Sequence, residues 1–306
     1  MAQPRDVSHG DVEHRCGSVA VVGRPNVGKS TLLNALVGEK LSITGPKPQT
    51  TRHRILGIVT RPHAQILLLD SPGLHRADSR AIGRQLNRTA RQVLADADVA
   101  VQVCEAGRWT AEDDAVWQAL ADSRRPKLLV LNKIDRNKDK RVLLPFIAKV
   151  TSGRSYDAVL PISAQRGEGI VELEQEIIRR LPVAPAVYPA DELTDRSERF
   201  LAAELVREQL MLRLSRELPY ATTVEIEKFE DNDGSCEIAA VVWVERDGQK
   251  SIVIGARGAQ LKAIGTAARL SMERLFGRKV FLQLWVKVRE NWSDDEAALR
   301  RFGYEE

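Results

Sequence analysis

The residues best suited to chemistry form a glycine-rich run near the amino terminus, with the spacing Gly, four residues, Gly-Lys-Ser. Backbone N–H groups of such a loop turn toward phosphate oxygens, and the following helix N-terminus adds positive dipole. Lys29 can reach the β- and γ-phosphates of a nucleotide, and the Ser30 hydroxyl can bind Mg²⁺. An ordinary glycine turn is the alternative. The run consists of Gly23, Arg24, Pro25, Asn26, Val27, Gly28, Lys29 and Ser30.

A second candidate phosphate motif follows the apolar run 66–69. A buried strand that ends in a carboxylate beside a phosphate loop can hold Mg²⁺, often through water. Asp70 has this position, and the Gly73 N–H is placed to meet a γ-phosphate. Taken alone, the run is also a good turn sequence. This loop consists of Asp70, Ser71, Pro72, Gly73 and Leu74.

The run Asn-Lys-Ile-Asp after the apolar stretch 127–131 indicates which base is bound. Guanine presents two donors on one edge, and the carboxylate of Asp135 can accept both, whereas adenine offers no such pair. Asn132 can bond the base or the loop, and the Lys133 stem can lie against the base plane. A backbone N–H near Ser163 and Ala164 can reach the guanine O6. A charged loop without a ligand is the alternative.

Two threonines between the phosphate motifs are candidates for a switch residue that reaches Mg²⁺ when a γ-phosphate is present. We choose Thr51, although Thr50 adjoins it and sequence does not separate the two. Many GTPases orient the attacking water with a glutamine at the position of Leu74. A leucine side chain cannot hydrogen-bond the attacking water, so we predict slow intrinsic hydrolysis of GTP. The catalytic residue is unknown.

The side chains of these separate motifs can meet around one nucleotide only if the strands before them lie in a parallel sheet and end at the same edge. Strands and helices alternate up to about residue 181, which predicts an α/β domain with a mostly parallel sheet and helices on both faces. The four motifs, in this order, resemble a translation-factor-class GTPase domain. The 306 residues suggest two domains. We expect an N-terminal arm at 1–15, the GTPase domain at 16–182 and a proline-containing linker at 183–196.

The pattern of apolar and charged residues in the second half predicts the order helix, strand, strand, helix, helix, strand over 197–290. A tail follows at 291–306. We expect helices at 197–218, 251–254 and 259–276, and a Gly-x-x-Gly loop between the last two. This α+β arrangement resembles a type II KH domain, which clamps about four nucleotides of RNA against that loop. Between 250 and 289 there are nine Lys or Arg and one acidic residue. The candidate RNA-binding residues are Gly255, Ala256, Arg257, Gly258 and Lys262.

Composition narrows the remaining classes of protein. Cys16, Cys104 and Cys236 are far apart and show neither metal-ligand spacing nor a disulfide framework. No apolar stretch approaches the length of a membrane span, and the N-terminus is polar. We therefore expect a cytoplasmic protein. We further expect a monomer and no DNA partner.

The chain resembles, over nearly its whole length, the Era family of bacterial ribosome-assembly GTPases. The matching runs are GRPNVGKS at 23–30, KPQTTRHR at 47–54, DSPGLH at 70–75, RWT at 108–110, LWVKV at 284–288 and the stretch 292–304. The resemblance implies a GTP/GDP switch whose KH domain and tail hold the 3′ end of small-subunit (16S) rRNA. It also implies assistance to 30S subunit maturation and peripheral contact with the inner membrane.

The resemblance also suggests a K⁺ site, and the chain departs from the family pattern at two places. GTPases similar to this one with asparagine at position 26 can bind K⁺ beside the phosphates, so Asn26 is a candidate K⁺ ligand. Ser71 stands where the family usually has threonine, and the Gly-Ala-Arg-Gly loop lacks the lysine commonly found there, although Arg257 retains the charge.

Two other functions stay open. One is a constitutive RNA-binding protein with a structural nucleotide site, and the other is a tRNA-modification-type GTPase.

Overall fold

The computed structural model describes residues 13–45, 47, 49–70, 72, 81–137 and 139–304. Six short apolar strands of the first domain form one sheet. They are β1 Arg15–Val22, β2 Ile55–Arg61, β3 Ala64–Asp70, β4 Val99–Glu105, β5 Lys127–Asn132 and β6 Ala158–Pro161. Their spatial order is β2-β3-β1-β4-β5-β6, with β2 antiparallel to β3 and every other pair parallel. The expected mostly parallel sheet is thus confirmed.

Helices cover both faces of this sheet. They are α1 Lys29–Val37, α2 Ala81–Asp96, α3 Ala111–Ala121, α4 Leu143–Thr151 and α5 Ile170–Ile178. Alternate residues of β1 point to opposite faces: Val19 and Val21 pack with α1 and α5, whereas Ala20 and Val22 pack with α2 and α3. The parallel strands β1, β3, β5 and β6 end at one edge, and the loops that follow them carry the candidate nucleotide residues.

The second domain has the predicted order of elements. They are α6 Glu198–Arg213, β7 Thr223–Asn232, β8 Ser235–Val244, α7 Asp247–Ile254, α8 Ala259–Phe276 and β9 Lys279–Val288. The strands form a sheet in the order β7-β8-β9, antiparallel in the first pair and parallel in the second. Inward-facing residues of β8, among them Ile238, Ala240 and Val242, pack against α6 and α8 in one core.

Two predicted helices have different lengths in the structure. The expectation that a helix reaches residue 218 is wrong, because α6 ends at Arg213 and a 3₁₀ turn follows at Leu218–Ala221. The Lys47 ammonium bonds the Met211 and Leu214 carbonyls and so caps α6 from the first domain. Helix α7 begins at Asp247 rather than at residue 251, since the Gln249 side chain accepts the Arg246 N–H and caps the start of the helix.

The segments at the domain borders pack against the first domain. Arg15, assigned to the N-terminal arm, is the first residue of β1, because its N–H bonds the His63 carbonyl. In the linker, the N–H groups of Val187 and Tyr188 donate to Gln65 Oε1 at 2.8 and 2.9 Å. The segment at 291–304 contains a 3₁₀ turn, Trp292–Asp294, and helix α9, Glu296–Arg301.

Candidate functional site

The phosphate loop at 23–30 connects β1 to α1 and curls around the Lys29 side chain. Lys29 Nζ donates to the carbonyls of Gly23 at 3.0 Å and Arg24 at 3.2 Å. Burial lowers the pKa of Lys29 to about 8, and a nucleotide phosphate would favour its charged form. Gly28 has φ of +101°, and a Cβ there would lie 2.3 Å from Asn132 Nδ2. A side chain at this position would therefore separate the phosphate loop from the loop after β5.

The side chain of Arg24 is committed to structure. Its Nε donates to Asp113 at 3.1 Å and its Nη2 to Glu105 at 3.3 Å, and the guanidinium is largely buried. Arg24 can therefore offer a phosphate only its backbone N–H. Asp113 and Glu105, which the sequence reasoning missed, anchor the phosphate loop to α3 and β4. The capping-box spacing of Thr110 and Asp113 was the available local signal for Asp113.

The hydroxyl of Ser30 lies at the centre of a cluster of oxygens. Its Oγ is 2.8 Å from Thr51 Oγ1 and 2.8 Å from Asp70 Oδ2. Ser42, not predicted, donates to the same Asp70 oxygen at 2.9 Å. Thr50 is turned elsewhere, since its Oγ1 donates to the Lys47 carbonyl at 2.6 Å. Of the two candidate threonines, the structure thus brings Thr51 to the cluster.

The chemistry of this cluster fits Mg²⁺. Asp70 is fully buried and its Oδ1 has no hydrogen-bond partner among the described residues. Burial raises the pKa of Asp70, while the charge of Lys29 opposes that shift. A divalent cation would compensate this buried carboxylate, and Mg²⁺ prefers hard oxygen ligands such as hydroxyl, carboxylate and phosphate. Pro72 is buried beside it, whereas Ser71, Gly73 and Leu74 lie outside the described residues.

The predicted base-binding residues come together at the ends of β5 and β6. Ser163 Oγ donates to Asp135 Oδ1 at 2.6 Å, which lowers the pKa of Asp135 and keeps it ionised. Asn132 Oδ1 accepts the N–H groups of Lys133 at 2.8 Å and Ala164 at 3.0 Å. Asn132 Nδ2 donates to the Val27 carbonyl at 2.9 Å. Asn132 therefore holds the loops together, and Asp135 keeps its other oxygen for a ligand.

Lys133 extends from the base loop over the phosphate loop. It has φ of +66°, and its Nζ bonds the Asn26 carbonyl and lies 3.7 Å from Glu105. Beyond it opens a cleft of about 1250 Å³ between the two domains. The second domain contributes Leu212, Ser271 and Arg274 to the walls of this cleft. The candidate nucleotide site therefore faces the second domain.

The loop that carries Thr50 and Thr51 is bound by α6 of the second domain. Arg207 donates to the Thr50 carbonyl and pairs with Glu204 through Nε at 2.7 Å, with both side chains buried. The charge of Arg207 lowers the pKa of Glu204 despite its burial, so the pair is ionic. These contacts join residues far apart in sequence, and no local pattern predicts them. The loop that would sense a γ-phosphate is thus in direct contact with the second domain.

A groove beside the Gly-x-x-Gly loop is the candidate RNA site. Gly255 has φ of +72°, and a Cβ there would lie 2.6 Å from Gln260 Cβ, so only glycine fits the tight turn into α8. Arg257 is exposed at the tip of the loop. Apart from Lys262, sequence reasoning missed the α8 and β9 residues of the groove, although β9 alternates visibly. The groove is lined by Gly258, Leu261, Lys262, Gly265, Thr266, Arg269, Leu282 and Leu284.

Comparisons with known proteins match both domains of this chain. A family model described as 50S ribosome-binding GTPase matches residues 18–133, and a KH domain model matches residues 217–293. The GTPase Era of Stenotrophomonas maltophilia is 60% identical over 292 residues, 95% of this chain and 98% of that protein. The GTPase Era of Xanthomonas oryzae pv. oryzae shares 60% identity over the same coverage. The chain belongs to the Era family of GTPases.

Solved Era structures extend the likeness to both domains together. A crystal structure of Era with MgGDPNP and nucleotides 1506–1542 of 16S ribosomal RNA has a TM-score of 0.92 and 38% identity, covering 96% of this chain and all of that one. An Aquifex aeolicus Era variant bound to GDP.AlF4- also has a TM-score of 0.92, with 37% identity over 95% of this chain and all of that one. As an Era-family member, the protein is a GTP-hydrolysing enzyme that uses GTP, GDP and Mg²⁺. None of the described helices is both long and apolar enough to cross a membrane.

Proposed function

We propose that this protein is a GTP-controlled switch that binds the 3′ end of 16S rRNA and assists maturation of the 30S subunit in the cytoplasm. The observation that carries the proposal is the contact between the Thr50 carbonyl and the buried Arg207–Glu204 pair of α6. Through this contact, the loop that would sense the nucleotide is hydrogen-bonded to the first helix of the RNA-binding domain. The complex of Era with MgGDPNP and 16S rRNA supports the same pairing of ligands.

In the nucleotide site, we assign phosphate binding to the backbone of 23–30 and to Lys29. Asp135 accepts the two guanine donors and the Lys133 stem lies along the base. The Ala164 N–H, which donates to Asn132 Oδ1, would share its hydrogen with the guanine O6. Ser30 and Thr51 would hold Mg²⁺ directly, with Asp70 acting through water or directly on the ion. When bound, Mg²⁺ neutralises charge that develops on the phosphates during hydrolysis. The 2.8 Å separations around Ser30 Oγ support this assignment.

In the RNA site, we assign the backbone of about four nucleotides to the loop at 255–258 and to the start of α8. Arg257 and Lys262 supply positive charge beside the phosphates. Leu282 and Leu284 on β9 form the apolar floor on which bases lie. Trp292 and Tyr304 of the C-terminal segment are buried in this arrangement, so the tail presents neither ring to RNA.

The test compares RNA binding at fixed salt with a GTP analogue, with GDP and without nucleotide. The ligand is a single-stranded mimic of the 16S rRNA 3′ end, and a scrambled strand is the control. We expect tighter, sequence-selective binding only with the GTP analogue. Equal binding in all three states would instead indicate a constitutive RNA-binding protein with a structural nucleotide site. A lack of selective binding in every state would refute the assembly role.

Arg257→Ala should weaken this binding about equally for both strands and reduce the slope of log affinity against log salt by about 1, because one phosphate contact is lost. Fluorescence anisotropy over a salt series measures both quantities. The matched control is Arg141→Ala, which removes an exposed arginine of the first domain whose ion pair, within the described part of the chain, is with Asp139. An unchanged slope in Arg257→Ala would remove this residue from the interface.

We also propose that Asn26 helps to hold K⁺ beside the phosphates and so supplies the positive charge that an arginine finger gives other GTPases. Asn26 has φ of +63° and lines the same pocket as Lys29 and Ser30. Hydrolysis should be at least about tenfold faster in KCl than in NaCl at equal ionic strength, within the range of effects of one positive charge. Phosphate release measured in both salts tests this, with Asn26→Ala as the variant that should lose the difference. Equal rates for the unsubstituted protein would refute it.

A further inference from the structure

The C-terminal segment, residues 291–304, contacts two parts of the first domain: the residue after Thr51 and the start of α2. Asp294 Oδ1 accepts a hydrogen bond of 2.9 Å from the N–H of Ala81, the first residue of α2. Among the described residues, α2 is the first helix after Asp70 in the sequence. At the other end, Tyr304 Oη accepts from Arg52 Nη1 at 3.2 Å, and Arg52 directly follows Thr51.

Aromatic packing strengthens the contact at the Tyr304 end. The His53 ring stacks on Tyr304 with centroids 4.6 Å apart and planes at 22°. His53 Nδ1 also donates to the Gly303 carbonyl at 3.0 Å. Toward α2, the apolar side chains of Trp292 and Leu299 cover Ile82 in one cluster. Both contacts with the first domain are therefore packed as well as hydrogen-bonded.

The same segment is fixed to the second domain. Trp292 is completely buried, and its Nε1 donates to the Ala221 carbonyl at 3.2 Å. Arg301 pairs with Glu225 of β7 at 3.0 Å. Thr223 Oγ1 lies 3.0 Å from Tyr304 Oη, within hydrogen-bond distance. The segment is thus bonded to the second domain through Trp292, Arg301 and Tyr304.

We infer that the C-terminal segment is the clasp through which the RNA-binding domain detects both nucleotide-responsive parts at once, with Asp294 and Tyr304 as positioning residues. An element fixed to one domain can satisfy two separate contacts on the other only when those contacts are in one particular arrangement. Its contacts therefore add to the free energy that couples nucleotide to RNA, in both directions. This inference rests on the proposed function and adds the structural element that carries it.

The test is the ratio of RNA affinity with GTP analogue to RNA affinity with GDP, for the full chain. The double variant Asp294→Ala, Tyr304→Phe removes the cap of α2 and the contacts of Tyr304 Oη with Arg52 and Thr223 but keeps the stacked ring. We expect the ratio to fall about tenfold, in the range that a lost helix cap and a typical allosteric coupling span. Asp294→Asn keeps an acceptor for the Ala81 N–H and should restore most of the ratio when Tyr304 is intact.

The matched control is Asp233→Ala, which removes an exposed carboxylate in the turn between β7 and β8. A double variant with the unsubstituted ratio would overturn the clasp while leaving the proposed switch intact. A ratio of one in the unsubstituted protein would refute the switch and the clasp together.

A second measurement needs no variant. Amide hydrogen exchange of the unsubstituted protein should show more protection at 81–86 and at 291–304 with the GTP analogue than with GDP, because both contacts then close. Equal protection in the two states would overturn the clasp.

Discussion

We expect Asp135→Asn to exchange the base preference of the nucleotide site from guanine to xanthine. The Asp135 carboxylate can accept from both N1–H and the 2-amino group of guanine, whereas an amide offers one acceptor and one donor. The amide donor would oppose the 2-amino group but match the O2 acceptor of xanthine. The loss of one charge-assisted bond and the unpaired donor cost about 3–4 kcal/mol, or roughly 10²–10³-fold in GDP affinity.

The measurement is the dissociation constant for GDP and for xanthosine diphosphate, by calorimetry or by displacement of a fluorescent nucleotide. Ser163 remains able to donate to the asparagine oxygen, so the loop should keep its shape. The matched control is Asp139→Asn, on an exposed aspartate of the same connection that pairs with Arg141. If Asp135→Asn still preferred GDP to the xanthine nucleotide, Asp135 would not be the base-reading residue.

The second large effect is expected from Thr51→Ala. Loss of a hydroxyl that meets Mg²⁺ only when a γ-phosphate is present should weaken the GTP analogue by about 10–100-fold, the range of one bond to a charged partner. GDP should bind almost as before, because it lacks the γ-phosphate on which the proposed contact of Thr51 with Mg²⁺ depends. Titration of both nucleotides at saturating Mg²⁺, and again with Mg²⁺ chelated, measures the effect and its dependence on the ion.

Thr50→Ala is the natural control for Thr51→Ala, because Thr50 Oγ1 donates to the Lys47 carbonyl and not to the oxygens around Ser30. Thr51→Ser should restore most of the affinity for the analogue. If Thr50→Ala lost as much analogue binding as Thr51→Ala, the hydroxyl cluster of this structure would not be the Mg²⁺ site.

The sequence sufficed for the order of the main elements and for the loops that carry the candidate nucleotide residues. Glycine spacing, strand-terminal carboxylates and the order of apolar runs are local signals, because the phosphate and base loops are each built from consecutive residues. Which of Thr50 and Thr51 joins the oxygen cluster around Ser30 could be decided only from the structure, because adjacent loop residues point in different directions without a periodic pattern. The end of α6 was also misjudged, because its cap, Lys47, comes from the other domain.

The contacts between the domains were beyond sequence reasoning. Arg207 and the Thr50 carbonyl are 157 positions apart, and a carbonyl is present at every residue, so the sequence does not mark it as a partner. The apolar residues of the C-terminal segment are visible as Trp292, Phe302 and Tyr304. Their spacing indicates that the segment packs on something, but not that α2 and His53 are the surface it covers.

The position of Asn132 has a consequence for how nucleotides enter and leave. One amide side chain joins the phosphate loop at Val27, the base loop at Lys133 and the last loop at Ala164. These three loops are therefore assembled when the chain folds, and the guanine and the two inner phosphates meet a cradle that is already rigid. Only the γ-phosphate side, formed with Thr51, is left to be completed by the ligand. Exchange of GDP should then cost little rearrangement of these three loops, and the third phosphate would act on the Thr51 side of the site.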